Sequence, residues 1–255
     1  DPPKWTADGK TIFTARTFAP DGDEPWRTNN IYTVDVASAQ STRREDDKYN
    51  IYLPTPSPDG NWIACVRRDI GVTDLPNRLL VMSVDGSDSR LVNESYDREI
   101  ADFAWSPDSK LAFTLTDEGT ALPYVYDPES NSSAKAYDGI FDIEKLAIGQ
   151  GGTLAMSVST PKNPQELYLL VDGEFKEATT FNHEWLDEVI VQDVHELRFQ
   201  TPNGEVQGWY LYPVGYEAGK QYPLALNIHG GPHATWSFST KTMWHEWQFH
   251  AARGY

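Results

Sequence analysis

The sequence predicts a mainly β fold: a partial β-propeller of four-stranded blades followed by the N-terminal part of an α/β domain. Three observations predict it. A Ser-Pro-Asp-Gly-like turn flanked by apolar strands recurs at a spacing near 50 residues. Each recurrence is followed by a second strand and turn, so each period holds two hairpins. The pattern then stops after Phe181, and strands resume in a different style that ends in a glycine-rich loop and a helix.

The repeat is read first, because a period of this size decides the architecture. Its copies are Pro3-Lys4-Trp5-Thr6-Ala7-Asp8-Gly9, Pro56-Ser57-Pro58-Asp59-Gly60 and Trp105-Ser106-Pro107-Asp108-Ser109, with a degraded fourth at Gly149-Gln150-Gly151-Gly152. Asp8 and Asp59 are 51 residues apart, and Asp59 and Asp108 are 49 apart. Proline presets φ, aspartate bonds its own backbone, and glycine accepts positive φ, so the tetrapeptide reverses the chain. The flanks, such as Trp62-Ile63-Ala64-Cys65-Val66 and Leu111-Ala112-Phe113-Thr114-Leu115, are strands. The Trp or its equivalent just before the turn is expected to pack between neighbouring sheets.

The second halves are Asn30–Asp35, Leu79–Gly86, Pro123–Asp127 and Glu166–Gly173. Two hairpins per period of roughly 45–50 residues mark a propeller blade. No amphipathic 3.6-residue pattern recurs with the period, which excludes a helical solenoid. One carboxylate per turn is far short of the 6–8 oxygens calcium takes, so each aspartate reads as a turn residue.

Beyond Phe181, Asn182-His183-Glu184-Trp185-Leu186 reads as a linker. Val194–Gln200 is a strand, Thr201-Pro202-Asn203-Gly204 a turn, and Val206–Pro213 a second strand. Tyr222-Pro223-Leu224-Ala225-Leu226-Asn227-Ile228 is expected to be a third, buried strand running into His229-Gly230-Gly231-Pro232-His233. A helix is expected from about Lys241 to Ala252, with Met243, Trp244, Trp247 and Ala251 on one face and Gly254 as its stop. Blades over 1–185 and the α/β part over 186–255 follow.

Composition narrows the function classes. The net charge is −17, and an acidic surface repels phosphate backbones, so nucleic acid is not an expected partner. No run approaches the ~20 apolar residues a spanning helix needs, so no membrane partner is expected. The lone Cys65 sits in an apolar strand and reads as a buried core residue. Asn93-Glu94-Ser95 and Asn131-Ser132-Ser133 fit the glycosylation pattern, but matches this short arise by chance. All six histidines lie between His183 and His250. His245-Glu246-Trp247-Gln248-Phe249-His250 has one residue too many for His-Glu-x-x-His, and positions five apart on a helix diverge by about 140°. Neither a metal nor another cofactor is expected.

The loop at His229 carries the chemistry. Backbone N–H groups stabilise the oxyanion of a tetrahedral intermediate, and glycine lets the backbone approach it closely. An apolar strand ending in His-Gly-Gly-Pro resembles the oxyanion loop of α/β-hydrolases. With the Ser-Pro-Asp-Gly blades, Gly208-Trp209-Tyr210-Leu211-Tyr212-Pro213 and Tyr222–His233, the whole chain resembles the prolyl oligopeptidase family of serine peptidases, in its acylaminoacyl-peptidase-like branch. The resemblance implies a propeller that admits only short peptides to an acyl-enzyme site. It implies Gly231 as the oxyanion donor with Gly230 beside it, and it puts His229 where other branches place an oxyanion-binding tyrosine. Here His229 is expected to fix the loop.

The departure is as informative. The family's nucleophile lies on a Gly-x-Ser-x-Gly elbow, and none occurs in these 255 residues. Nucleophile, acid and base are therefore expected beyond Tyr255, the elbow within roughly 60–90 residues of it. The chain alone is expected to be inactive. Expected partners are a short peptide and the remaining hydrolase segment of the same protein, with a homo-oligomer left open, and the expected location is cytoplasmic. A peptide- or protein-binding propeller and an esterase-type hydrolase are the alternative readings.

Overall fold

The computed structural model describes residues 2–18, 28–44, 48–70, 76–230, 235–239 and 243–255. Sixteen strands form four meanders of four. Blade one is β1 (Lys4–Trp5), β2 (Thr11–Thr17), β3 (Asn29–Asp35) and β4 (Ser41–Arg43). Blade two is β5 (Tyr49–Pro56), β6 (Trp62–Asp69), β7 (Arg78–Ser83) and β8 (Ser89–Leu91). Blade three is β9 (Ile100–Trp105), β10 (Leu111–Asp117), β11 (Thr120–Asp127) and β12 (Ser132–Lys135). Blade four is β13 (Asp142–Ile148), β14 (Leu154–Ser159), β15 (Glu166–Val171) and β16 (Glu174–Glu177). Pairing within each blade is antiparallel, and a single parallel bridge, Ala121 to Asp142, joins blades three and four.

The core lies between the sheets. Along β6, Ile63 and Cys65 pack with Phe13 and Ile31 of blade one. The alternate residues Ala64 and Val66 pack with Leu111, Phe113 and Leu115 of blade three. Ala112 faces the other way, toward Ile143, Leu154 and Met156 of blade four. Inner strands buried on both faces read as continuous apolar runs rather than as alternation.

The repeated turns behave as their chemistry dictates. Asp8 accepts from Thr6 Oγ1 (2.7 Å) and from the Lys10 N–H (3.0 Å). Asp59 accepts from the Asn61 N–H (3.1 Å), and Gly60 takes φ +76°. Blade three uses Ser109 at φ +59° in the place of the glycine. The hydroxyl of Ser109 accepts the Asp59 N–H (3.0 Å), which ties neighbouring blades. Trp105 is half-buried and donates from Nε1 to Thr55 O across the same seam (2.8 Å). Trp5 does not pack between sheets: it is 57% exposed, with no described sheet against its side of blade one.

Past blade four, the segment read as a linker forms a one-turn helix, α1 (His183–Leu186). A hairpin of β17 (Val194–Thr201) and β18 (Gly204–Leu211) follows, with Thr201 opposite Gly204. The helix α2 (Trp244–Ala252) buries Trp244 and Ala251, and Gly254 at φ +88° stops it. Residues 241 and 242 of the expected helix lie outside the described ones. Residues 222–228 are not a strand. Leu224, Leu226 and Ile228 are 83%, 75% and 83% exposed. A buried strand needs a ladder partner and a cover, and among the described residues nothing supplies either.

Candidate functional site

The His229 loop stands at the end of that exposed segment. The Nδ1 of His229 lies 3.1 Å from Gly230 O, and its ring stacks on Trp236 (centroids 5.4 Å apart, planes 14° apart). Gly230 has open space where a Cβ would stand. Gly231, Pro232 and His233 lie outside the described residues, so the expected oxyanion donor has no described geometry. Beyond them Ser237, Phe238 and Ser239 are buried, which roots the far end of the loop.

The root is anchored on blade four. Trp244 donates from Nε1 to Pro161 O (2.9 Å) and meets Trp185 edge-on, with centroids 6.4 Å apart. The Gln248 amide takes the Gln192 N–H (2.8 Å) and donates to Gln192 O (3.1 Å). Lys162 reaches Val191 O (2.7 Å) and Asp193 (2.8 Å). In α2, His250 lies 3.6 Å from Glu246 and edge-on to Tyr255.

A second junction joins blade three to the hairpin. Residues directly opposite in an antiparallel pair share a face. Glu196, Arg198, Gln207 and Trp209 therefore lie on one face, and they meet the β10–β11 turn. Arg198 pairs with Glu118 of that turn (3.0 Å) and with Glu205 (3.0 Å) and Glu196 of its own hairpin. Gln207 donates from Nε2 to Glu118 O (3.3 Å). A cavity of about 440 Å³ lies between the two junctions, walled by Glu118, Leu122 and Pro161 below and Val194, Trp209 and Phe238 above. The outer face of the hairpin is apolar and open: Leu197, Phe199, Val206 and Tyr210 are all exposed.

The sequence pointed to the helix, which forms over Trp244–Ala252, but to neither junction. Their signal, an Arg198 amid carboxylates and a glycine under a tryptophan, is visible only once distant segments meet. Of the glycosylation matches, Asn93 is fully buried and holds the Leu79 N–H (2.7 Å), and Asn131 accepts from Tyr126 OH (2.8 Å). Cys65 is buried, which pushes its thiol up to about 12. No helix among the described residues is long and apolar enough to cross a membrane.

Four four-stranded blades followed by a hairpin and a helix make a partial β-propeller with a further element at its C-terminal side. The uncomplexed acylaminoacyl peptidase of Pyrococcus horikoshii shares that fold: TM-score 0.83 at 21% identity, over all of this chain and 38% of that one. The β-propeller domain of the trilobed protease from Pyrococcus furiosus matches 71% of this chain and 52% of its own, with TM-score 0.56 and 19% identity. No family model matches the chain. An uncharacterized peptidase, YuxL, of Bacillus subtilis is 40% identical over 101 residues, 39% of this chain and 15% of the relative. The probable dipeptidyl-peptidase 5 of Emericella nidulans is 27% identical over 253 residues, 93% of this chain and 31% of the relative. The dipeptidyl-peptidase 5 of Aspergillus fumigatus is 28% identical over 207 residues, 75% and 28%. By sequence the chain is similar to peptidases, and by fold to an acylaminoacyl peptidase. It spans less than a third of the length of these curated relatives.

Proposed function

We propose that this chain supplies the gating blades and the oxyanion loop of a serine oligopeptidase that cleaves short peptides through an acyl-enzyme. The observation that carries the proposal is continuity. The match to a dipeptidyl-peptidase 5 runs through 93% of the chain, over blades, hairpin and loop alike. In this reading blades occupy 1–185 and the hydrolase part 186–255. The N–H groups of Gly231 and Gly230 face the oxyanion, and His229, stacked on Trp236, sets the loop. The triad lies in a further segment of the same protein, which covers the open apolar face of the hairpin and pairs with residues 222–228. A cytoplasmic location belongs to the same reading and suits a lone thiol buried in the core.

The test is a panel of fluorogenic dipeptide, acyl-aminoacyl and simple ester substrates offered to the full-length protein and to the 255-residue chain. Hydrolysis of short peptides by the full-length protein alone is the expected result. Turnover of esters without peptides would move the assignment to an esterase, and peptide binding without turnover would move it to a binding module. Within an active protein, Gly231→Pro deletes one oxyanion donor and is expected to lower kcat roughly 10²–10³-fold.

A further inference from the structure

We infer that the β10–β11 turn of blade three, Asp117–Thr120, is a clasp that holds the β17–β18 hairpin on the blades and closes the junction cavity. The inference stands on geometry and does not depend on the peptidase reading.

Gly119 is the centre of the clasp. It is buried at the tip of the turn, at φ +80°, and a Cβ there would overlap the Cζ2 edge of Trp209 and stand 3.2 Å from Ser237 Cβ. The indole therefore seats on bare backbone, and only glycine permits that approach. Beside it, Glu118 is used twice: its carboxylate pairs with Arg198 (3.0 Å) and its carbonyl accepts from Gln207 (3.3 Å). Asp117 is held in turn by Arg98, in the connection leading into β9, which stiffens the turn. The Arg198 pair is exposed and weak by itself, so the seat of Trp209 supplies most of the hold. The contacts of Pro161 and Lys162 with Trp244, Val191 and Asp193 form the second fixed point. Glu118 and Pro161 both line the cavity, so releasing the clasp while the second point holds opens the cavity on one side.

Hydrogen exchange on the 255-residue chain tests this. Gly173 offers a matched control: it has the same φ of +80° in the β15–β16 turn, with nothing within 4 Å of a Cβ. Gly119→Val is expected to speed exchange of amides 194–211 about tenfold, with amides 62–83 unchanged. Gly173→Val is expected to leave 194–211 unchanged. In a Trp209→Ala background, which already lacks the seat, Gly119→Val is expected to add nothing. Glu118→Gln, which leaves the backbone alone, is expected to speed the same amides about two- to fivefold and to reduce their dependence on salt, the Arg198 pairs with Glu196 and Glu205 remaining. Equal effects of the two glycine variants on 194–211, additivity of Gly119→Val with Trp209→Ala, or an unaltered salt dependence in Glu118→Gln would overturn the clasp.

Discussion

Asp59 shows how much of a blade rests on one side chain. Burial by itself would raise its carboxyl, but hydrogen bonds from Ser57, from the Asn61 backbone and side chain, and from Ser109 outweigh burial and hold it below the usual aspartate range. Asp85 is held at about 2 by the Ser83 hydroxyl and the Ser87 N–H and hydroxyl. A carboxyl depressed by folding contributes stability above its unfolded value and loses it as pH falls through the folded one. Stability of the blades is thus expected to decline between about pH 4 and pH 2, as read by urea unfolding at stepped pH. Asp59→Ala is expected to cost about 1 kcal/mol at neutral pH and to flatten part of that decline. Cys65 makes a contrasting case. Its raised thiol and full burial predict no alkylation by iodoacetamide in the native chain at pH 8 and prompt alkylation in denaturant. Both residues were legible in the sequence, because turn chemistry and an apolar strand context act within a few positions.

At the scale of elements, the blades were legible for the same reason. Their period is written in local turns, and their doubly buried strands are written in apolar runs. Residues 222–228 carry the same apolar signature and form no strand, since a ladder is a property of two segments and the sequence of one cannot supply it. The clasp was hidden for a related reason: Gly119 and Trp209 are 90 positions apart, and nothing local separates Gly119 from Gly86 or Gly173, which share its φ. Glu166 is another tie that only the fold displays. Almost wholly buried at the start of β15, it accepts from the Asn182 N–H (2.6 Å), from Asn182 Nδ2 (3.0 Å) and from Thr179 Oγ1. It thereby fastens the segment leading into α1 to blade four. Glu166→Ala would strand those donors, and a loss of about 1–3 kcal/mol in chemical denaturation is expected, with Glu166→Gln recovering part of it.

The molecule as a whole divides by what its faces meet. The blade interfaces are apolar and closed. The junction between blades and hairpin is mixed: an arginine pairs with three carboxylates, and Glu118, Glu196 and Trp209 line the cavity beside them. The outer face of the hairpin and residues 222–228 are apolar and open. That inversion, polar toward the neighbour and apolar toward solvent, agrees with the proposal that a further segment completes the hydrolase sheet on the open side. The measurement that bears most directly on the proposed function is fluorophosphonate labelling of the full-length protein, with the labelled residue located by mass spectrometry. The expected result is one labelled serine, on a Gly-x-Ser-x-Gly elbow outside residues 1–255. A labelled serine within these residues, or no labelled serine at all, would contradict it.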